Sequence, residues 1–516
     1  MNLATWLHQS GRVRPDAPAI RFGDDLHATY GALAFRSWAI GEFLRAEHGV
    51  EPGDRIAIFV KNCPEYLELL YAVLWIGAVV VPINHKLHRR EAHWIIGNAE
   101  ARLVFTAGGD VFDGAEALPD GCTEIGLASE GLVRSVSQAS PDGYRAPVDV
   151  ADDAVAWLFY TSGTTGRPKG VMTTHRNLRM MATSYTLDVD PALPEDHVLY
   201  AAPMSHGAGL YNFQFVRVGA CHVVPRSQGF DPAEIEDLAQ RLGGLVFFAA
   251  PTMVKRLIAQ ANRSGYRGQG IRTVIYGGGP MYVADLEQAL AVFGPKFVQI
   301  YGQGESPMTI TAMNRAMVLG DGMPGQAARR ASVGVAQSCV EVRVVDEQMR
   351  SLPPGEVGEV VVRGDTVMAG YWRNDQATAD TLRDGWLCTG DLGRIDADGF
   401  LTLTDRSKDV IISGGTNIYP REVEEAIQSH PSVYEVSVIG APHPEWGEEV
   451  VAFVVFADAG HVATEELDDW CRRQIASFKK PKRYVVVQAL PKNSYGKVLK
   501  TDLREQADQK AVPSRG

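Results

Sequence analysis

The chain lacks any CxxC pair: its six cysteines, at 63, 122, 221, 339, 388 and 471, are scattered along 516 residues. Such spacing argues against both a zinc site and a disulfide framework, and leaves reduced, mostly buried thiols as the expectation. Long hydrophobic runs are also scarce. The longest, Leu69 to Ile83, is broken by Gly77 and Pro82 and is too short to cross a bilayer. It reads as a buried helix turning into a strand, and no membrane span is expected. Positive charge is in deficit, with a net charge of −12, so nucleic acid is not expected as a partner. The opening residues, MNLATWLHQSGRVR, carry neither the basic start, the apolar middle nor the small-residue cleavage site of a secretory signal. A cytoplasmic location is therefore expected. Internal repeats and low-complexity segments are missing as well.

What is present is the composition of an ordinary folded protein, 45% hydrophobic and 22% charged. The length exceeds what one core organises, so two or more domains are expected. Up to about residue 400, apolar β-like runs alternate with helical patterns, as in Arg55–Val60 followed by Glu65–Leu74. This is the α/β pattern of a largely parallel sheet with covering helices. Between Val340 and Arg363 the texture changes to short alternating strands around Pro353, Pro354 and Gly355, a β-rich patch. The charged joint DRSKDVIISGG, Asp405 to Gly415, then marks a domain boundary. Beyond it, helices over Pro420–Gln428 and Glu465–Ser477 and strands over Val433–Ile439, Val450–Phe456 and Tyr484–Val487 make a compact α+β unit the size of a small domain.

One stretch reverses the charge deficit. From Arg472 to Arg504 ten Lys or Arg face the single acid Asp502. A solvated face and a surface for a polyanionic small ligand both fit this count.

The string YTSGTTGRPKG, Tyr160 to Gly170, forms a loop between strands at Val155–Tyr160 and Gly170–Thr174. Its glycines let backbone approach an anion closely; Thr161, Ser162, Thr164 and Thr165 add hydroxyl donors, and Lys169 adds a charge. That is the chemistry of a phosphate cradle. It is not a Walker A loop, because Arg167 and Pro168 interrupt the GxxxxGK[ST] pattern. Gly277 to Gly279 do not make the GxGxxG fingerprint either, so NAD is not implied.

The loop resembles the signature of the adenylate-forming superfamily, which holds acyl- and aryl-CoA ligases, luciferases and the adenylation domains of peptide synthetases. The resemblance spans nearly the whole chain. Further motifs follow in the family's order: PMSH at Pro203–His206, GGGP at Gly277–Pro280, YGQGE at Tyr301–Glu305, CTGD at Cys388–Asp391, DRSKD at Asp405–Asp409, and GK at Gly496–Lys497. Aryl-CoA ligases such as the 4-chlorobenzoate and 4-coumarate enzymes look most similar.

The resemblance implies an ATP-dependent acid:CoA ligase using Mg²⁺ and coenzyme A, which forms an acyl-adenylate and pyrophosphate, then a thioester and AMP. It implies a large N-terminal nucleotide- and acyl-binding domain of sheets with covering helices (1–405), with a β-rich subdomain. A hinge (406–408) containing Lys408 and a small mobile α+β lid (409–516) complete it. Glu305 and Thr161 would hold Mg²⁺. ATP or AMP would be bound by Thr161, Ser162, Gly163, Thr164, Thr165, Gly166, Lys169, Gly277, Gly278, Gly279, Pro280, Tyr301, Gly302, Gln303, Asp391 and Arg406, the last two at the ribose. A structural salt bridge is the alternative reading of that pair. Lys497 matches the catalytic lysine of adenylation. His206 matches an aromatic gate residue, with a core histidine as the alternative, and is counted with Lys497 and Glu305 as catalytic.

Coenzyme A would meet Gly414, Gly415, Trp446, Phe478 and Lys480, with ordinary packing as the alternative for the two aromatics. The acyl pocket would comprise His206, Tyr211, Gln303, Gly304 and Met308, with Gly304 standing where the family commonly has Thr. An aromatic carboxylate is favoured over a medium-chain or branched acid. A carrier-protein thiol as acceptor and a non-catalytic nucleotide-binding regulator are the remaining alternatives. PMSHGAGLYN lacks the acid of amino-acid adenylation domains, no carrier domain is expected after Gly516, and a homodimer is left open.

Overall fold

A computed structural model describes residues 1–108, 110–113, 117–161, 168–320, 325–457, 462–493 and 497–511. Its architecture follows from where apolar residues fall along each strand. In Arg55–Phe59, Ile56 and Ile58 point into one buried cluster and Ala57 and Phe59 into another. A strand buried on both faces needs covering layers on each side, and the sheet around it is largely parallel.

Among the described residues four sheets form. The first has nine strands and runs from Val335–Ala336 through Ser306–Met313, Phe297–Gln303 and Ile271–Tyr276 to Asp25–Thr29. The second has seven and includes Val155–Thr161 and Lys169–Thr174 at one side. Between these two lies the largest core, built from both sheets and from the helices Ala4–Val13, Tyr30–His48 and Glu65–Trp75. Every residue of Glu65–Trp75 from Tyr66 onward is buried, as a helix apolar all round must be. It then turns at Gly77 (φ +75°) into the strand Val79–Pro82, so the apolar run Leu69–Ile83 is the helix-to-strand segment its sequence suggests. Among the described residues no helix is long and apolar enough to cross a membrane. The six cysteines are unpaired.

The third sheet is antiparallel and contains the hairpin Val340–Val345 with Gly358–Gly364, and the pair Trp386–Ile395 with Leu401–Arg406. The fourth begins at Ile411. One of its faces packs Val436, Val438, Ala452 and Val454 with Val423 and Leu467, and the other packs Ile439, Val451 and Phe453 against Leu503 and Ala507. Several boundaries differ from the sequence reading; among them, the strand expected from Val450 opens at Gly447 and the last strand covers Arg483–Val486. The strand expected over Val433–Ile439 extends over Val433–His443, because it pairs along its length with Gly447–Phe456. The helix Thr464–Gln474 stops short of Ser477, because Ile475 turns extended (φ −131°, ψ 160°) and packs against the sheet's core.

Candidate active site

The strands Val155–Thr161 and Lys169–Thr174 pair antiparallel with Thr161 opposite Lys169, so each runs one residue further into the Gly/Thr string than expected. Ser162, Gly163, Thr164, Thr165 and Gly166 lie outside the described residues. Lys169 Nζ sits 4.9 Å above the ring of Tyr371. The Tyr371 hydroxyl donates to Glu305 Oε1 at 2.6 Å. One tyrosine thus holds the loop's cation on its face and the acid at its tip. Burial, reinforced by Glu305, pushes the Tyr371 phenol up, so it remains a donor. The Met368 N–H fixes the Glu305 carbonyl at 2.8 Å. A carboxylate oriented by one hydrogen bond suits Mg²⁺, which needs few protein oxygens and keeps water and phosphate ligands. No cluster of three His, Cys, Asp or Glu occurs among the described residues.

The nucleotide region centres on Asp391. Strand register sets Asp391 opposite Arg406, and Arg406 Nε lies 3.0 Å from its Oδ1. Oδ2 accepts from the Tyr301 hydroxyl and from Gln303 Nε2, each at 2.6 Å. Tyr301 and Gln303 are two apart on one strand and therefore share a face. Gln303 Nε2 also donates to the Thr389 carbonyl at 3.0 Å. Burial, then Asp391, raises the Tyr301 phenol far above its usual range. The ion pair offered as an alternative reading exists, and it sits beside a rim where Gly278, Gly279 and Pro280 are exposed. Gly277 is required: a Cβ there would lie 2.5 Å from the Ile300 carbonyl oxygen. At Gly302 it would lie 2.5 Å from the Met308 nitrogen.

His206 caps the short helix Gly207–Leu210, its Nδ1 accepting the Gly207 N–H at 2.8 Å. Its ring lies 4.9 Å from that of Phe159. Burial lowers the imidazole to about 4, so it is neutral at physiological pH. The space opposite Gly304 is not open: a Cβ there would meet Thr161 Cγ2 at 2.6 Å and Phe159 Cδ1 at 3.1 Å. Gly304→Thr is accordingly expected to displace Thr161 and lower the turnover of every acid, which a substrate panel would detect as a uniform loss. Tyr211 stacks on Phe248 (ring centroids 6.2 Å) and meets Tyr185 edge-on at 5.5 Å. Met308 packs against the same core cluster and has φ +61°, with its carbonyl accepting from Gln337 Nε2 at 2.8 Å. A non-glycine residue in that region persists only where its surroundings fix it.

Lys497 comes from the fourth-sheet unit. Asn493 brackets it, its Oδ1 accepting the Lys497 N–H at 3.0 Å and its own N–H donating to the Lys497 carbonyl at 2.9 Å. Surrounding protein lowers the ammonium to about 8, and Arg406 adds to the effect while Asp391 opposes it. The residue as a whole is exposed, so water shares that charge and no stability increment follows from it. Lys497, Arg406 and Asp391 nevertheless share one electrostatic field. Lys408 is exposed, and partial desolvation lowers its ammonium, with Asp409 opposing.

The basic stretch is largely neutralised. Arg472 and Lys480 pair with Asp468, Lys479 with Glu422, Arg483 with Glu449, Lys492 with Glu435, Lys500 with Asp405 and Glu424, and Arg504 with Asp409. Of the two readings, a broad polyanion surface is therefore disfavoured. Lys480 Nζ lies 2.6 Å from Asp468, while Lys482 stands over the Trp446 ring at 4.8 Å. Trp446 stacks on His443 (4.3 Å) rather than on Phe478, which is half exposed beneath Lys479. Gly414 and Gly415 form the exposed hairpin turn, with φ +57° and +77°, and Gly414 N–H donates to the Trp446 carbonyl at 2.8 Å. The structure thus gathers Gly414, Gly415 and Trp446, and ties Lys480 to Asp468.

Tyr371, Thr389 and Phe159 were not singled out from the sequence. Tyr371 comes from a distant segment that no local pattern marks, whereas Thr389 lies within CTGD and Phe159 directly precedes the Gly/Thr string, so those motifs were the signal that could have found them.

Residues 7–372 match the AMP-binding enzyme family, and residues 422–497 match the AMP-binding enzyme C-terminal domain. The chain is 36% identical to a feruloyl-CoA synthase from an Amycolatopsis species, covering 97% of this chain and 98% of that protein. It is 35% identical to a fatty acid–[acyl-carrier-protein] ligase from Streptomyces coeruleorubidus, covering 95% and 93%. Its structure superposes on ATP-bound MatB from Rhodopseudomonas palustris with a TM-score of 0.86 and 30% identity, over 99% and 100% of the two chains. With this architecture and these motifs, the chain belongs to the AMP-binding enzyme family and has the adenylate-forming fold, in the company of AMP-forming acid–thiol ligases.

Proposed function

We propose that the protein is a carboxylic acid:CoA ligase that activates an aromatic acid through an acyl-adenylate. The observation that carries this reading is the buried Asp391, which gathers Tyr301, Gln303 and Arg406 while Lys497, from the other unit, shares its field. In the first step the substrate carboxylate attacks the α-phosphorus of ATP, and the bond to pyrophosphate breaks. No proton moves. Asp391 and Arg406 hold the ribose hydroxyls, and Lys497 offsets negative charge growing on the phosphoryl oxygens and the leaving group. Glu305 and Thr161 would hold Mg²⁺, which when bound would supply further charge neutralisation on the phosphates. In the second step the CoA thiol attacks the acyl carbonyl, AMP departs and the thiol proton is released. Residues 1–405 act as the body, 406–408 as the hinge and 409–516 as the lid. In support, the strand Leu401–Arg406 belongs to the third sheet and Ile411 opens the fourth. The Gly414–Gly415 turn and Trp446 are assigned to coenzyme A, with Lys482 in place of the ion-paired Lys480.

An aromatic acid suits the ring pairs Phe159–His206 and Tyr211–Phe248, and the feruloyl-CoA synthase relative is named for an aromatic acid. The Tyr211 hydroxyl and both polar atoms of the Gln214 side chain are buried without hydrogen-bond partners among the described residues. Leaving such groups unmatched costs about 1–3 kcal/mol each, so a ring substituent that hydrogen-bonds is favoured over an alkyl chain. Tyr211→Phe is expected to lower kcat/KM roughly tenfold for a ring-hydroxylated acid and to spare the unsubstituted one. Equal losses for both acids would remove Tyr211 from substrate selection. A carrier-protein thiol is the second reading, favoured by the acyl-carrier-protein ligase relative. Measuring AMP release with ATP and an aromatic acid decides between them: CoA must be required, and a phosphopantetheinylated carrier protein must not replace it.

A further inference from the structure

Lys500, three residues beyond Lys497, is the first residue of the helix Lys500–Ala511. Its Nζ lies 3.3 Å from Glu424 Oε1 and 3.5 Å from Asp405 Oδ2. Both carboxylate side chains are buried, at 6% and 9% exposure. Glu424 sits on the helix Pro420–Gln428, where its Oε1 also accepts the Val438 N–H at 2.8 Å. Its Oε2 accepts the hydroxyl of Tyr282 at 3.2 Å. Tyr282 follows Pro280 by two residues, at the rim of the nucleotide slot. Asp405 precedes Arg406, which pairs with Asp391, and its Oδ1 accepts the Arg406 N–H at 2.7 Å. A continuous chain of contacts therefore runs from the nucleotide rim, through the small unit, to the joint.

We infer that Tyr282, Glu424, Lys500 and Asp405 form a latch that holds the lid in the pose presenting Lys497, with Lys500 a positioning residue for adenylate formation. This rests on the proposed ligase function and its moving lid. Rotation about 406–408 separates Tyr282 and Asp405, on the body, from Glu424 and Lys500, on the lid. The Tyr282 and Asp405 contacts therefore exist in one pose only, and a contact made in one of two states shifts the equilibrium towards that state. Arg504 with Asp409 (2.7 Å) and the Val283 N–H with Glu425 Oε2 (3.5 Å) lie beside the latch and brace it.

The test uses the full-length protein with two variants, Lys500→Met and the milder Tyr282→Phe, which removes a single hydroxyl. Carboxylate-dependent ATP–pyrophosphate exchange is expected to fall roughly tenfold in Lys500→Met and less in Tyr282→Phe. Conversion of supplied acyl-adenylate and CoA to thioester is expected to hold or quicken in both. Equal loss of the two half-reactions, or unchanged exchange in both variants, overturns the latch. If the unmodified protein shows no exchange with any acid, the ligase reading fails instead. Amide hydrogen exchange around Val283 and Val438 then judges the latch: acceleration in both variants supports it, and unchanged protection overturns it.

Discussion

Lys497→Ala is expected to lower carboxylate-dependent pyrophosphate exchange about a thousandfold while leaving the conversion of supplied acyl-adenylate and CoA to thioester nearly intact. Removal of one preorganised charge from a developing anion costs about 10²–10³ in rate, and Lys497 is the lid cation sharing a field with Asp391 and Arg406. The neutral His206 cannot replace it. The same lysine sets a pH dependence. Its ammonium, lowered to about 8, is present below that pH and is lost as pH rises through it. Adenylate formation should therefore fall above about pH 8 in the native protein, and this limb should vanish in Lys497→Ala. A rate rising with pH through that region would contradict the assignment. Single-turnover measurements of each half-reaction across pH provide the check.

Asp391→Ala is expected to raise the KM for ATP roughly a hundredfold and to destabilise the fold by about 3 kcal/mol. The substitution strips the acceptor from Tyr301, Gln303 and Arg406 together, leaving a buried phenol, an amide and a guanidinium without their partner. Asp391→Asn keeps the shape and an acceptor oxygen but removes the charge. It is expected to recover most of the thermal stability and little of the ATP affinity, as thermal melts and ATP titrations would show. Full recovery of both would make Asp391 purely structural.

The chemistry proposed for this site was suggested by the sequence, because binding a polyanion calls for contiguous glycines, hydroxyls and a lysine, and such a requirement writes itself into a short string. Asp391 and Arg406 are marked only through the CTGD and DRSKD motifs of the family resemblance, and the register that sets them opposite one another comes with the fold. What escaped comes from long-range assembly. Tyr371 reaches Glu305 across 66 positions, and Tyr282 reaches Glu424 across 142. No local spacing encodes such meetings. The basic stretch from Arg472 invited a polyanion surface because a charge count does not show which acids fold back onto it. Asp468, Glu422, Glu435 and Asp409 do so here. Gly304, standing where the family commonly has Thr, does not mark open space, because Thr161 and Phe159 already fill it. Acyl preference is the least legible feature, since Tyr211 with Gln214, Phe248 and Met308 come from three separate segments.

On the proposed mechanism, a carboxylate is activated on ATP at the Asp391 centre before any thiol is used. Carboxylate-dependent ATP–pyrophosphate exchange in the absence of CoA, across aromatic, short, medium and long acids, tests it most directly. Exchange is expected with at least one aromatic acid, strongest for a ring-hydroxylated one and lost in Lys497→Ala. Absence of exchange with every acid, or exchange undiminished in Lys497→Ala, would contradict it.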